Sequence, residues 1–359
     1  MRDEGDVQKL RRSPDSRGTQ RWWTRRRLTE PADNHRNDPV GHDLRTAPVP
    51  IFELATAENL EPSGYAFANP DLQTAFGDDS KALRKHFNEF GIHEGRRQLA
   101  RQTLERVERY RREKLERLAL DVPTYEAHIL GMVLRMALAR DSRLPLSAVP
   151  ISDHEYDGQC AGLVDSSPDG LFLDLGAGFR PTYRRNVVNV EIAAFPTTDV
   201  IAFADELPFE SATFDGGVCL AVLEHVPDPW RAAAELVRVT KLGGTLLVDW
   251  PFLQPVHGYP HHYFNATEQA ARETFEKLGA QVVTSIPPFL HPIFTLRWIL
   301  DEWQRGLEPA DREAFTRLTV SGILDRTEEQ HLEAPWATHL PEDVQRTISA
   351  GTRLVVTKR

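Results

Sequence analysis

"LFLDLGAGFRP", residues 171–181, reads as a buried strand that runs straight into a glycine turn. Leu171, Phe172, Leu173 and Leu175 are apolar, Asp174 interrupts them, and Gly176 and Gly178 follow at once. A nearly continuous apolar run suits a strand covered on both faces. Glycines at its carboxyl end let a ligand approach the backbone closely. A second strand pattern, "VVNVEI" (187–192), follows so soon that no full helix fits between the two.

Downstream of this turn, strand patterns alternate with helical ones. "DVIAFA" (199–204), "FDGGVCL" (214–220), "GTLLVDW" (244–250) and "AQVVTSI" (280–286) are further strand candidates. "DPWRAAAELVRVTKLGG" (228–244) and "NATEQAARETFEKLGA" (265–280) read as helices ending in glycine, and "GTRLVVTKR" (351–359) as a last strand. This alternation predicts an α/β fold with a mostly parallel sheet and helices on both faces.

Upstream the grammar differs. Residues 1–46 lack apolar periodicity and are expected to be a disordered tail; "RWWTRRR" (21–27) could touch nucleic acid or anionic lipid, or be one part of that tail. Residues 47–100 predict a small helical module. Asn69 would cap a helix that starts at Pro70 and stops at Gly77, and Ser80 one that stops at Gly91, with Leu83, Phe87 and Phe90 on one face. Residues 101–165 read as a helical connector: a charged helix over 101–120, then a more buried one over 125–140. Residues 166–359 would form the second domain, with a helical insertion at about 287–345.

Composition bounds the function. The formal charge of −10 argues against nucleic acid as a partner, because phosphate binding needs a basic face. Cys160 and Cys219 are the only cysteines, too few for a disulfide framework, which suits a reducing cytoplasm. No apolar run approaches the ~20 residues of a membrane span, so no stable membrane insertion is expected.

A dinucleotide fingerprint needs a third glycine, and Pro181 stands there, which disfavours a nicotinamide oxidoreductase. Taken together, "LDLGAG" (173–178), the acidic end of "VVNVEI", "ADELPFESATFD" (204–215), "AVLEHVPDPW" (221–230) and "ELVRVTKLGGTLLVDWPF" (235–252) resemble class I S-adenosylmethionine-dependent methyltransferases, in a compact form with a short first crossover. The stretch 65–96 resembles a small bacterial helical module often found near glycan-handling enzymes.

The resemblance implies a Rossmann-like methyltransferase sheet behind an N-terminal all-helical region, with S-adenosyl-L-methionine as cofactor. It implies that Gly176, Ala177 and Gly178 pass the methionine and ribose, with Asp174 near the ammonium group. Glu191 would accept hydrogen bonds from the ribose hydroxyls, and Ala204 would lie beside adenine. Phe203 stands where the family usually has an acid; it could stack on adenine or fill the core, and Asp205 could supply the missing acceptor. The acceptor would be a small molecule or a glycan or sugar precursor, methylated at oxygen. The alternative is a non-catalytic scaffold, binding a protein partner or a second copy through residues 47–140.

Candidate bases are His225, beside Glu224, and His257, His261 and His262 in "QPVHGYPHHYFN" (254–265). The Glu224–His225 pair reads equally as structural. For the loop histidines, three readings stand: substrate contacts with one base, a metal site, or a polar structural loop. Their spacing matches no standard metal site and shows no nearby acid, so no metal is expected, and His257 is the preferred base. In the insertion, Phe294, Trp298 and Ile299 share a helical face, as a lid, a membrane-surface helix or core packing.

Overall fold

The computed structural model describes residues 47–118, 120–139, 153–258 and 261–350. The expected tail (1–46) and last strand (351–359) lie outside these. Among the described residues seven strands form one sheet: β1 (Thr124–Ile129), β2 (Met132–Leu138), β3 (Phe172–Leu175), β4 (Val187–Glu191), β5 (Val200–Ile201), β6 (Phe214–Leu220) and β7 (Thr240–Asp249). Their spatial order is β7-β6-β3-β4-β5-β2-β1. β1 and β2 pair antiparallel, and every other pairing in this sheet is parallel. β3 and β4 are buried at every residue, as their apolar runs require.

The hairpin β1–β2 corrects one expectation. Residues 125–140 do not form a buried helix. Burial alternates residue by residue along β1, and Leu130 and Gly131, with φ of 50° and 73°, make a two-residue turn. Such a turn with positive φ at both centres matches the twist of antiparallel strands. A dense apolar run fits either period; here the glycine turn and a free sheet edge decide for strands.

Smaller differences have local causes. "AQVVTSI" is not a strand among the described residues, and Val283 and Ile286 are 96% and 71% exposed. Alternation supplies no ladder unless a neighbouring edge accepts it. The helix after β6 spans Pro229–Val239 rather than running to the glycines, because Thr240 already pairs with Phe214. In the module, Asp79 rather than Ser80 caps the helix Ser80–His86, accepting from the amides of Lys81 and Ala82. Leu83 and Phe87 are buried as expected, but a π turn over Phe87–Gly91 shifts the register and leaves Phe90 52% exposed. Gly91 is not the stop; the chain continues to Gly95, which takes the left-handed conformation.

Residues 176–186 between β3 and β4 contain no helix. Part of the layer over the sheet there comes instead from the long helix α1 (Arg101–Leu118). Its Leu104, Val107 and Tyr110 join the main core. Arg111 and Lys114 of the same helix are almost wholly buried. Arg111 donates to the carbonyls of Pro196 and Thr198. Lys114 donates to the carbonyls of Val187 and Arg184 and to Asp199 Oδ2. The Tyr183 hydroxyl donates to Asp199 Oδ1. A helix that reads as solvated is therefore clamped to the start of β4 and to the turn before β5. Burial holds Lys114 down at about 8.

Two short strand pairs tie the N-terminal region down. Val49–Pro50 pairs with Thr182–Tyr183 inside the short crossover, and Glu53–Leu54 pairs with Arg97–Gln98.

Candidate active site

In a parallel sheet every strand ends at the same edge, and ligands bind at that carboxyl edge. Leu175 of β3 lies beside Val190 of β4 and Cys219 of β6, and Leu220 lies beside Asp249. The segments 176–181, 191–195, 202–205, 221–226 and 250–258 therefore leave the sheet at one edge.

The turn after β3 is built by main-chain bonds. The amides of Gly176 and Ala177 both donate to the Val190 carbonyl, at 2.9 and 3.1 Å. Gly176 and Gly178 have φ of 68° and 59°, which suits glycine. A Cβ at Gly176 would lie 2.3 Å from Val222, so this glycine also serves packing against the segment after β6.

Glu191 stands at the end of β4 with 5% exposure. Its Oε2 accepts the Gly178 amide at 2.9 Å and its Oε1 the Ile192 amide at 2.7 Å. Burial raises its pKa, and the two amides counter this. Each oxygen of a carboxylate has room for a second donor, so two hydroxyls can still be accepted. The expected ribose ligand thus sits against the expected glycine turn.

Asp174 has a different environment from the one expected. It is fully buried, and Arg180 Nε and Nη2 donate to its two oxygens at 2.7 and 3.0 Å. The Tyr156 hydroxyl donates to Oδ2 at 2.5 Å, and Arg180 also lies over the Tyr156 ring. Its charge is satisfied inside the chain. Arg180 and Tyr156 escape a sequence reading because neither sits in a periodic pattern, and Tyr156 is 18 residues from its partner. Ala204 is buried, Asp205 half-buried, and Phe203 half-buried against the main core.

The histidines converge on one carboxylate. Leu223–His225 form a single 3-10 turn after β6, with Glu224 fully buried. The amides of Tyr263 and Phe264 donate to the Glu224 carbonyl at 2.7 and 3.3 Å, which fixes the loop after β7 against this turn. His225 Nε2 and His257 Nε2 lie 3.7 and 3.9 Å from Glu224 Oε1. The expectation that no acid is near these histidines is therefore wrong: Glu224 is thirty-odd residues away in the chain but adjacent in space. His262 packs edge-on to both His225 and His257. The His261 ring turns instead to Tyr263, and its carbonyl accepts from His225 Nδ1 at 2.8 Å.

Burial moves these groups away from their ordinary ranges. His257 is pushed down to about 4, His225 is lowered, and Glu224 is pushed up to about 8. Trp298, on the insertion helix Pro292–Gly306, packs against His257 with ring centroids 4.9 Å apart. The Val256 amide donates to the Thr347 carbonyl. Phe294, expected on the same face, is 47% exposed.

A family model described as a methyltransferase domain matches residues 172–248. An uncharacterized methyltransferase of Mycobacterium sp. (strain JLS) is 41% identical over 81 residues, 21% of this chain and 31% of that protein. One from Mycobacteroides abscessus is 34% identical over 114 residues, 29% of this chain and 43% of that protein. The chain thus spans less than half the length of these relatives. Among solved structures, phosphoethanolamine N-methyltransferase 2 of Haemonchus contortus with S-adenosyl-L-methionine aligns with 48% of this chain and 44% of its own, at 18% identity and a TM-score of 0.26. The YcgJ protein of Bacillus subtilis aligns with 44% and 81%, at 17% identity and a TM-score of 0.27.

Proposed function

We propose that this chain, whose residues 172–248 form a methyltransferase domain of the class I S-adenosylmethionine-dependent type, transfers a methyl group to a hydroxyl of a small molecule or of a glycan or sugar precursor. The observation that carries the reading is the pairing of the Gly176–Gly178 turn with the buried Glu191 carboxylate through the Gly178 amide. The residues fit the cofactor, because the glycine turn and the spare acceptor capacity of Glu191 meet at the sheet's carboxyl edge. When bound, S-adenosyl-L-methionine supplies an electrophilic methyl group on a sulfonium.

The chain's own residues do the rest. Glu191 orients the ribose, and Ala177 and Ala204 wall the site. Asp174 holds the turn in place through Arg180, which makes it a positioning residue rather than the ammonium ligand. On the acceptor side, His257 donates Nδ1–H to the Pro255 carbonyl, so Nε2 keeps its lone pair toward Glu224. That nitrogen can accept a hydroxyl proton, but a base held near 4 is weak, and alignment must carry most of the acceleration. Trp298 covers this side and restricts water. The oxygen acceptor and the glycan class rest on the family resemblance and on the company that modules like 65–96 keep, and the acidic overall charge argues against nucleic acid.

Calorimetric titration with S-adenosyl-L-methionine tests the reading, followed by transfer of labelled methyl to a panel of sugar phosphates and glycans. Saturable binding and labelled product support it; absence of cofactor binding in the folded protein leaves the scaffold reading.

A further inference from the structure

We infer that Glu224, His225 and His257 form a binding site for a divalent first-row transition metal ion, of which zinc is the simplest. The three offer ligand atoms within 4.8 Å of one another. Glu224 is fully buried, and among the described residues neither of its carboxylate oxygens has a hydrogen-bond partner. A buried carboxylate without a donor is costly unless something positive faces it.

The tautomers sharpen this. A carbonyl oxygen only accepts, so His225 Nδ1, 2.8 Å from the His261 carbonyl, carries the ring proton. By the same logic His257 Nδ1, 2.8 Å from the Pro255 carbonyl, carries its proton. Both Nε2 atoms are then lone-pair acceptors, and both are aimed at the Glu224 carboxylate, 3.7 and 3.9 Å away. Among the described residues nothing else donates into this cluster, so without an ion the Glu224 carboxyl must keep its proton, and an ion would take that proton's place. Ligating imidazoles characteristically donate their other ring N–H to a carbonyl or carboxylate, which is the arrangement here.

The spacing is close to coordination. Bonds of ~2.0–2.2 Å at tetrahedral angles put ligand atoms roughly 3.4 Å apart, so the two imidazoles, 3.7 and 3.9 Å from Glu224 Oε1 and with all three ligand atoms within 4.8 Å of one another, must draw together on binding. Two imidazoles and a carboxylate suit zinc and its neighbours better than magnesium or calcium, which prefer oxygen alone. His262 is not a ligand: its Nδ1 accepts the His257 amide and its Nε2 donates to Asn265 Oδ1. Gly258, at φ 80°, lets the loop pass His225, where a Cβ would lie 2.4 Å from the ring. Three protein ligands leave a coordination position open. Resting on the methyltransferase reading, an ion held here would supply Lewis-acid chemistry that lowers the pKa of an acceptor hydroxyl, and His257 would then serve as its ligand in place of the base role.

The test uses the full-length protein, stripped with chelator and titrated calorimetrically with zinc chloride, with melting temperature and cobalt(II) visible absorption as second readouts. One equivalent should bind and raise the melting temperature, and cobalt should show the intense bands of a four- or five-coordinate site. Glu224→Gln, checked for folding by circular dichroism, should weaken zinc at least ~10-fold, whereas His262→Gln should stay within a few-fold. Absence of stoichiometric binding to the wild type, or equal binding by Glu224→Gln, overturns the site. Cofactor titration of the same sample separates the two readings: zinc without cofactor binding keeps the metal site and removes the methyltransferase reading, and the reverse removes only the metal.

Discussion

At the scale of single residues, two side chains carry separable consequences. Glu191 accepts two main-chain amides and has capacity for two hydroxyls. Glu191→Ala should therefore weaken S-adenosyl-L-methionine by about 2–3 kcal/mol, roughly 30–150-fold, in a protein that still folds. Calorimetry checks this, and an unchanged dissociation constant would remove Glu191 from the site. His154 lies beside Arg180, which donates Nη1 to its carbonyl. Burial, with Arg180 second, pushes its imidazole down to about 4. Between the ordinary pKa of 6.5 and 4 the unfolded chain binds a proton that the folded chain refuses. Stability should fall as pH drops through that window, by an order of 2–3 kcal/mol, and level off below it. The difference between wild type and His154→Asn in denaturant melts at pH 7 and pH 4 isolates this from the carboxylates, of which Glu191, Glu224 and Asp249, raised by burial, act oppositely and Asp215 and Glu235, lowered by their partners, act in the same sense.

At the scale of elements, α1 shows how charge can anchor rather than solvate. Asp199 takes Lys114 Nζ and the Tyr183 hydroxyl, and Arg111 Nε lies 3.5 Å from it, all without solvent exposure. Asp199→Asn leaves two buried cations facing a neutral amide. The expected cost is about 3–5 kcal/mol, read as a lower denaturant midpoint. A change below 1 kcal/mol would mean that water reaches this network. Opposite-charge pairs on exposed helix faces contribute far less, so Arg346→Ala next to Glu342, both largely exposed, should shift stability by under ~1 kcal/mol.

At the scale of the whole molecule, the N-terminal region and the cofactor edge are mechanically one. Val49 and Ile51 are buried at 3% and 0%, and the Ile51 amide donates to the Pro181 carbonyl just beyond the glycine turn. With no helix between β3 and β4, this short strand pair braces the crossover. A chain beginning at residue 56 should be less stable than one beginning at residue 47 by about 2–5 kcal/mol, from the lost burial of Val49, Ile51 and Ala55. It should also bind S-adenosyl-L-methionine more weakly, because the turn loses its brace. Equal stability and affinity of the two truncations would separate the region from the site.

Much of this was legible in the order of residues alone. The Leu171–Leu175 strand, its glycine turn, the early second strand and the helix–strand alternation follow from periods of 2 and 3.6 and from glycine's access to positive φ, all of which are local. The place of Glu191 at the sheet's carboxyl edge was legible, because a strand's end fixes which edge it occupies. The tertiary structure alone decided that Arg180 and Tyr156 absorb Asp174, that Lys114 and Arg111 turn inward, and that residues 124–138 pair as a hairpin on a sheet edge. It also decided that Glu224 meets His257. Burial, desolvation and unpaired lone pairs are properties of neighbours in space, and a loop such as 250–258 brings residues together without any periodicity that a sequence could display.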